Sequence, residues 1–290
     1  MNVEMSYLLG MILGNGEIKR GKSKTRVTID IPHKNVYTDD GKDAAIYVQA
    51  SLIDIESIIK PLINTDITYI TGTRSTQLTF EKSNDEYFMR ELIRYIGAGT
   101  KHHTMKLHSD LFDLTSDEKR SLLRGFVDVT AYIRKSNIAF GKAGQHRVYI
   151  EIPGNWDMVI DIANMLKSID IPVQTIDFGH PNFRDSNVKK YNEGSKSYWK
   201  KEHQIKIWAN EFLPIGFNIK HKQSALETYA GEQLRFMSPD TTHKFYWEKP
   251  IRKRKKPEHP AEKDSSLPIS IRGKHFESWT EIAEVLGYHE

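Results

Sequence analysis

LLGMILGNGEI (8–18) and LRGFVDVTAYI (123–133) are the two stretches on which the fold of this chain turns. Aligned from Leu8 and Leu123 they share the pattern L-x-G-[MF]-[IV]-x-x-[NT]-[GA]-x-I, and each runs into a basic strand-like segment. Apolar residues recur at helical spacing over 4–14 and stop at Gly16, and residues 118–129 read as helix in the same way.

The two stretches are succeeded by elements in the same order. In the first half, RVTIDI (26–31) alternates as a strand, and AAIYVQASLIDIESIIKPLI (44–63) is a long amphipathic helix. ITYITGTRSTQLTF (67–80) reads as a hairpin turning at Gly72, and EYFMRELIRYI (86–96) returns to helix. In the second half, AYIRKSNIAF (131–140) and HRVYIEI (146–152) read as strands and NWDMVIDIANMLKSI (155–169) as helix. VQTIDF (173–178) and HQIKIWA (203–209) are again strand-like, and KQSALETYAGEQL (222–234) is helical. A supersecondary unit used twice, offset by about 115 residues, predicts duplication, with repeats over 1–105 and 106–240. Beyond them KPIRKRKKPEHPAEKDSS reads as part of a basic linker over 241–268, followed by a small tail over 269–290.

The totals narrow the class. Cysteine is absent, which removes disulfides and thiolate metal sites. No apolar run approaches the ~18 residues of a membrane span, and the N-terminus lacks the basic leader and small-residue cleavage site of a signal peptide, so a cytoplasmic protein without a membrane partner is expected; two repeats in one chain lead to the expectation of a monomer. The net charge of +4 favours an anionic partner only mildly, so the placement of the cations matters more than their number.

The paired motifs, with the approach TSDEKRSLLRG before the second, resemble the LAGLIDADG family of homing endonucleases over roughly residues 5–235. That resemblance implies an α+β fold of two αββαββα repeats related by a pseudo-twofold axis, with a small C-terminal helical module. Gly10 and Gly125 would let the two motif helices touch backbone to backbone, since glycine has no Cβ. The two sheets would form a saddle over double-stranded DNA, where side chains reach base edges in the major groove.

The family's chemistry needs an acid at the eighth motif position of each repeat. Two carboxylates hold a hard cation such as Mg²⁺, which offsets charge developing on the attacking and leaving oxygens. Here those positions are Asn15 and Thr130, one an uncharged amide and the other a weak hydroxyl ligand. Glu17 and Asp128 are the adjacent acids, but at about 100° of helix per residue a two-residue shift turns a carboxylate well away from its predecessor's direction. Lys220, in IKHKQSAL (219–226), and Lys82 are candidates for the basic residue such sites carry. Cleavage is therefore expected to be weakened or lost, and Mg²⁺ to be needed only if it survives.

Candidate DNA contacts come in matched sets. Lys19, Arg20, Lys22, Lys24 and Arg26 follow the first motif, and Arg134, Lys135, Lys142 and Arg147 follow the second. The stretch SNVKKYNEGSKSYWKKEH (186–203) interleaves Lys189, Lys190, Lys200 and Lys201 with Tyr198 and Trp199, as backbone tracking and groove insertion require. The run Arg252, Lys253, Arg254, Lys255 and Lys256 would add salt-dependent affinity. The tail ISIRGKHFESWTEIAEVLG (269–287) resembles the modular DNA-binding repeats found beside homing endonucleases, through Gly273, Lys274, Phe276 and Ser278, and Ser278 with Glu281 forms a capping-box pattern. The expected partner is a long, partly pseudo-palindromic duplex. A non-enzymatic transcriptional regulator and an intron RNA maturase, with RNA as partner, are the alternatives.

Overall fold

Asn2 opens the first helix, its side chain accepting from the Met5 N–H, and Gly16 closes it. The computed structural model describes residues 1–38, 43–96, 99–135, 146–177, 202–236, 269–271 and 274–276. Helix α1 (Val3–Asn15) is buried from Met5 to Gly14 without a break. A helix apolar on every side belongs at the centre of a fold. It lies there against α4 (Ser116–Thr130), whose start is fixed by a capping box: Thr115 accepts from Glu118 N–H, and the Glu118 carboxylate accepts from Thr115 N–H.

Each central helix feeds straight into a strand. After α1 come β1 (Gly16–Arg20), β2 (Lys24–Pro32), α2 (Ala44–Ile63), β3 (Thr68–Thr71), β4 (Ser75–Ser83) and α3 (Tyr87–Ile96). After α4 come β5 (Ala131–Arg134), β6 (Arg147–Pro153), α5 (Trp156–Lys167), β7 (Thr175–Asp177), β8 (Glu202–Trp208), the short α6 (Ala209–Phe212) and α7 (Lys220–Phe236). The first sheet has the order β1-β2-β4-β3 and the second contains β7-β8-β6-β5, so corresponding strands hold corresponding places. This is the duplicated α+β arrangement expected from the sequence. The hairpin does turn at Gly72, whose N–H donates to Ser75 O. The short α6 does not stand out as a separate element in the sequence pattern, because it continues the apolar segment of β8 without a turn residue of its own.

The duplication shows in atomic detail where the central helices cross. A Cβ on Gly10 would lie 1.9 Å from Leu122 O, and a Cβ on Gly125 would lie 1.9 Å from Tyr7 O. Each glycine thus sits on the carbonyl three residues before its counterpart, a reciprocal contact that a twofold axis between the helices produces. The serines one turn earlier are equivalent too: Ser6 Oγ donates to Asn2 O at 2.9 Å and Ser121 Oγ crosses to Val3 O at 2.6 Å.

Strand alternation sets the two sheet faces. Val27, Ile29 and Ile31 of β2 and Val148, Ile150 and Ile152 of β6 point into the core, while Arg26, Thr28 and Arg147, Tyr149 lie on the outer faces. At the far edge of the second sheet the tail contributes β9 (Ile269–Ile271), parallel to β7, and β10 (Lys274–Phe276), antiparallel to β9. The expected extended start of the tail is therefore hydrogen-bonded into the sheet. The linker expected over 241–268 and the helix expected in the tail, Ser278 included, fall outside the described residues. No helix among the described residues is long and apolar enough to cross a membrane.

Candidate functional site

The two motif ends meet where α1 and α4 run out, and a Cβ on Gly14 would lie 3.1 Å from Thr130 Cγ2. Asn15 donates through Nδ2 to Asp30 O at 2.6 Å. Thr130 is buried and its hydroxyl donates to Phe126 O, one turn back in its own helix, at 2.7 Å. The Thr130 hydroxyl is thus turned back into its own helix, whereas the bond of Asn15 engages only its amide nitrogen.

The neighbouring acids are also engaged. Asp128 is fully buried, and its Oδ2 accepts from the Tyr7 hydroxyl at 2.7 Å and from Asn218 N–H at 3.2 Å. Burial pushes its carboxyl up to about 6, against the opposing pull of the Lys222 charge and of these two donors. Glu17 on β1 pairs with Lys19 and Lys101, each at 3.2 Å. Its partial burial raises the carboxyl pKa, and the two lysines outweigh that and hold it below the usual value. The residues at the motif ends therefore do not fit the paired-carboxylate site of the family: one acid sits beneath the surface, one is neutralised, and the eighth positions carry none.

The basic candidates lie elsewhere. Lys220 points outward, its side chain 88% exposed, and pairs with Asp54 at 3.2 Å. Lys82 pairs with Glu86 at 2.7 Å. The lysine that does reach the motif end is Lys222, two residues on and fully buried. Its ammonium donates to Asn35 O at 2.7 Å and to Ala131 O, with Val127 O and Asp128 O at 3.4 and 3.5 Å. It binds the last carbonyls of α4, where the helix dipole is negative. Desolvation lowers its pKa to about 7, and the Asp128 charge opposes that. Asn35 completes the cap, donating to Val129 O at 3.2 Å. A lysine flanked by polar residues in KHKQ gives no sign of burial, so the sequence offered nothing to separate Lys222 from Lys220.

Two further acids had no signal in the sequence. Asp30 on β2 and Glu151 on β6 occupy the same register position, one step from Ile29↔Gly16 and Ile150↔Ala131. One oxygen of Asp30 is buried without a hydrogen-bond partner. Glu151 is held by Gln204 at 3.1 Å and by Lys34, from the other repeat, at 2.7 Å. A cavity of about 200 Å³ opens beside that bridge, lined by Lys34, Tyr37, Thr38, Tyr132, Ile133 and Glu151.

Lys19 with Arg26, and Arg134 with Arg147, fall on the outer sheet faces, whereas Arg20 pairs with the buried Thr25 on the other side of β1. Lys19, Arg20, Lys24 and Arg26 surround a cleft of about 220 Å³ at the β1–β2 hairpin, with Glu81 the one acid in its lining. Lys22 is exposed at the turn of that hairpin. In the second sheet Arg134 and Arg147 face each other across β5 and β6, and Lys135 is exposed just past β5. Strand pairing makes Lys19 equivalent to Arg134 and Arg26 equivalent to Arg147. Lys142, Lys189, Lys190, Tyr198, Trp199, Lys200, Lys201 and the run Arg252–Lys256 lie outside the described residues, and Lys274 is described through its backbone alone.

No family model and no curated protein matches the chain. Among solved structures it is similar to the homing endonuclease I-DmoI in complex with DNA and Ca, at 14% identity and a TM-score of 0.41, over 79% of this chain and 100% of that one. It is similar to the I-LtrWI LAGLIDADG homing endonuclease bound to target DNA, at 12% identity and a TM-score of 0.39, over 83% and 91%. The N-terminal LAGLIDADG domain of DUF199/WhiA matches at 13% identity and a TM-score of 0.35, over 82% and 84%. These likenesses are distant and bear on the fold alone.

Proposed function

We propose that the protein binds a long duplex DNA site specifically, laying one sheet on each half, and that the motif residues do not cut it. The carrying observation is the register match of cations on the outer faces of two twofold-related sheets, Lys19 with Arg134 and Arg26 with Arg147. A protein whose contact surfaces are related by a twofold axis favours a site with the same symmetry, hence a pseudo-palindrome. Two antiparallel sheets with short and long polar side chains outward suit major-groove readout better than a small-molecule pocket. The basic hairpin cleft and the expected basic linker would add phosphate contacts. A single chain supplies both repeats, so binding as a monomer follows.

The donor set at the motif ends favours a regulator-like role over cleavage. Thr130 turns its hydroxyl inward, and Asp128 and Glu17 are engaged with Tyr7 and with two lysines. Selection from a random duplex library, once in Ca²⁺ and once in Mg²⁺, tests both parts. A long enriched site of about 20 base pairs, left intact in Mg²⁺, is the expected result. Breaks at its centre would overturn the non-cutting part and direct attention to Asp30 and Glu151. Enrichment of no duplex, with tight binding of a structured RNA, would overturn the DNA reading.

A further inference from the structure

The matched arginines Arg26 and Arg147 meet opposite partners. In the first sheet the register row is Lys19–Arg26–Glu81, and in the second it is Arg134–Arg147–Trp208. Glu81 and Trp208 are therefore equivalent positions beside equivalent arginines. Arg26 is taken up by the acid: both its Nε and an Nη lie 2.6 Å from Glu81 Oε1. Arg147 instead lies over the indole of Trp208, its guanidinium carbon 4.4 Å from the ring centroid, and its Nε is buried without a hydrogen-bond partner. A guanidinium stacked on an aromatic face keeps its donors pointing outward in the guanidinium plane.

The next rows diverge in the same sense. The first sheet presents Thr28 and Thr79, whose hydroxyls are 3.3 Å apart, flanked by Glu17. The second presents Tyr132 stacked on Tyr149, with the Lys206 ammonium 5.6 Å from the Tyr149 ring. Arg134 and Arg147 lie opposite each other across β5 and β6, so the row carries two guanidinium groups.

Resting on the DNA-binding reading above, we infer that Arg147 is the principal base-reading residue, donating two hydrogen bonds to the O6 and N7 of a guanine in the second half-site. Arg26 has no such role, because engaging a guanine would release the Glu81 carboxylate towards the phosphates. The protein therefore reads a pseudo-palindrome unequally: one half by an arginine on an aromatic bed, the other by short hydroxyls beside an arginine held by Glu81.

Site selection with the wild type, R147K and E81Q tests this, each variant first shown to melt cooperatively near the wild-type temperature. R147K keeps the charge and loses the fork, so it is expected to erase the guanine preference at one position of one half-site, about 10- to 100-fold. E81Q removes the acid that holds Arg26 and is expected to create a new guanine preference in the other half, of up to about 5-fold, since an exposed ion pair is worth up to about 1 kcal/mol. Should R147K fail to fold, Arg147→Gln takes its place with the same loss expected, because E81Q reports on Arg26 alone. Uniform weakening of R147K on all sequences would overturn the inference and make Arg147 a phosphate contact. An unchanged first half-site in E81Q would overturn the assignment of Glu81. If the wild type itself enriches no duplex, the DNA-binding reading fails and this assignment falls with it.

Discussion

Adding one methyl group at the helix crossing should push the two repeats apart. In Gly10→Ala the new Cβ would begin 1.9 Å from Leu122 O and 2.8 Å from Phe126 N, both backbone atoms, whereas ordinary contact begins near 3.4 Å. No rotamer relieves this, so the helices must separate by about 1.5 Å along that vector. Both helices are buried on their packed faces, so separation opens gaps beside Leu8, Met11, Phe126 and Val127. Overpacking of this kind costs about 1–3 kcal/mol, and here the obstacle is backbone, which places the cost at the upper end or above. The better helix propensity of alanine returns up to about 1 kcal/mol. A net loss of roughly 2–4 kcal/mol is expected for Gly10→Ala and, by the reciprocal contact, for Gly125→Ala. The assay is urea unfolding followed by circular dichroism, with m-values compared. The double variant should lose less than the sum, because one separation serves both methyl groups. Single variants within about 0.5 kcal/mol of wild type, or strict additivity, would refute a shared crossing point.

Lys222→Met should destabilise by about 3–5 kcal/mol, since it uncaps the last carbonyls of α4 and leaves Asp128 buried without its cation; Lys222→Met with Asp128→Asn should recover part of that, read from urea midpoints. His203 is buried against Trp156, and desolvation lowers its pKa to about 4, so the unfolded chain binds its proton first. Stability attributable to it should be fully present above about pH 6.5 and fall as pH drops towards 4, and His203→Gln should flatten melting temperature across that window. Burial alone raises the Glu211 carboxyl to about 7, so its contribution runs the other way, present below the ordinary glutamate value and lost as pH rises towards 7, a loss that Glu211→Gln should abolish.

Much of the architecture was legible because backbone geometry leaves traces in composition. Gly10 and Gly125 announce a close approach that no other residue permits, and β2 and α2 display their periods over whole turns or strands. The site was less legible because the deciding facts are long-range. Nothing local to Lys222 says that its ammonium will bind carbonyls about 90 residues away, and nothing local to Arg26 says that Glu81 will take it up. Asp30 and Glu151 look like ordinary outward acids of alternating strands until the register places them beside the motif ends. Counting in the sequence was enough to show that acids are missing at Asn15 and Thr130, and the structure adds that their side chains are committed to Asp30 and Phe126.

The motif end of α4 closes its charge balance without a metal. A helix C-terminus carries partial negative charge, and a pair of motif acids would add to it and call for a divalent cation. Here the acids are replaced by neutral groups and the cation comes from within, as the Lys222 ammonium on the carbonyls of Asn35 and Ala131. The α1 end is treated differently: Gly16 O accepts from the His102 backbone N–H at 2.8 Å, and the nearby ammonium groups of Lys19 and Lys101 pair with the Glu17 carboxylate instead. The repeats are therefore symmetric where backbones must touch and unlike in the side chains of their outer rows. A contact made through glycine and a carbonyl offers no alternative chemistry, so both copies keep it. An outer row needs only to be polar, and there the copies have moved to Glu81 on one side and Trp208 on the other. On the proposed DNA-binding reading, a surface built this way would read a nearly symmetric site with two different alphabets, and its specificity would lie in that difference more than in total affinity.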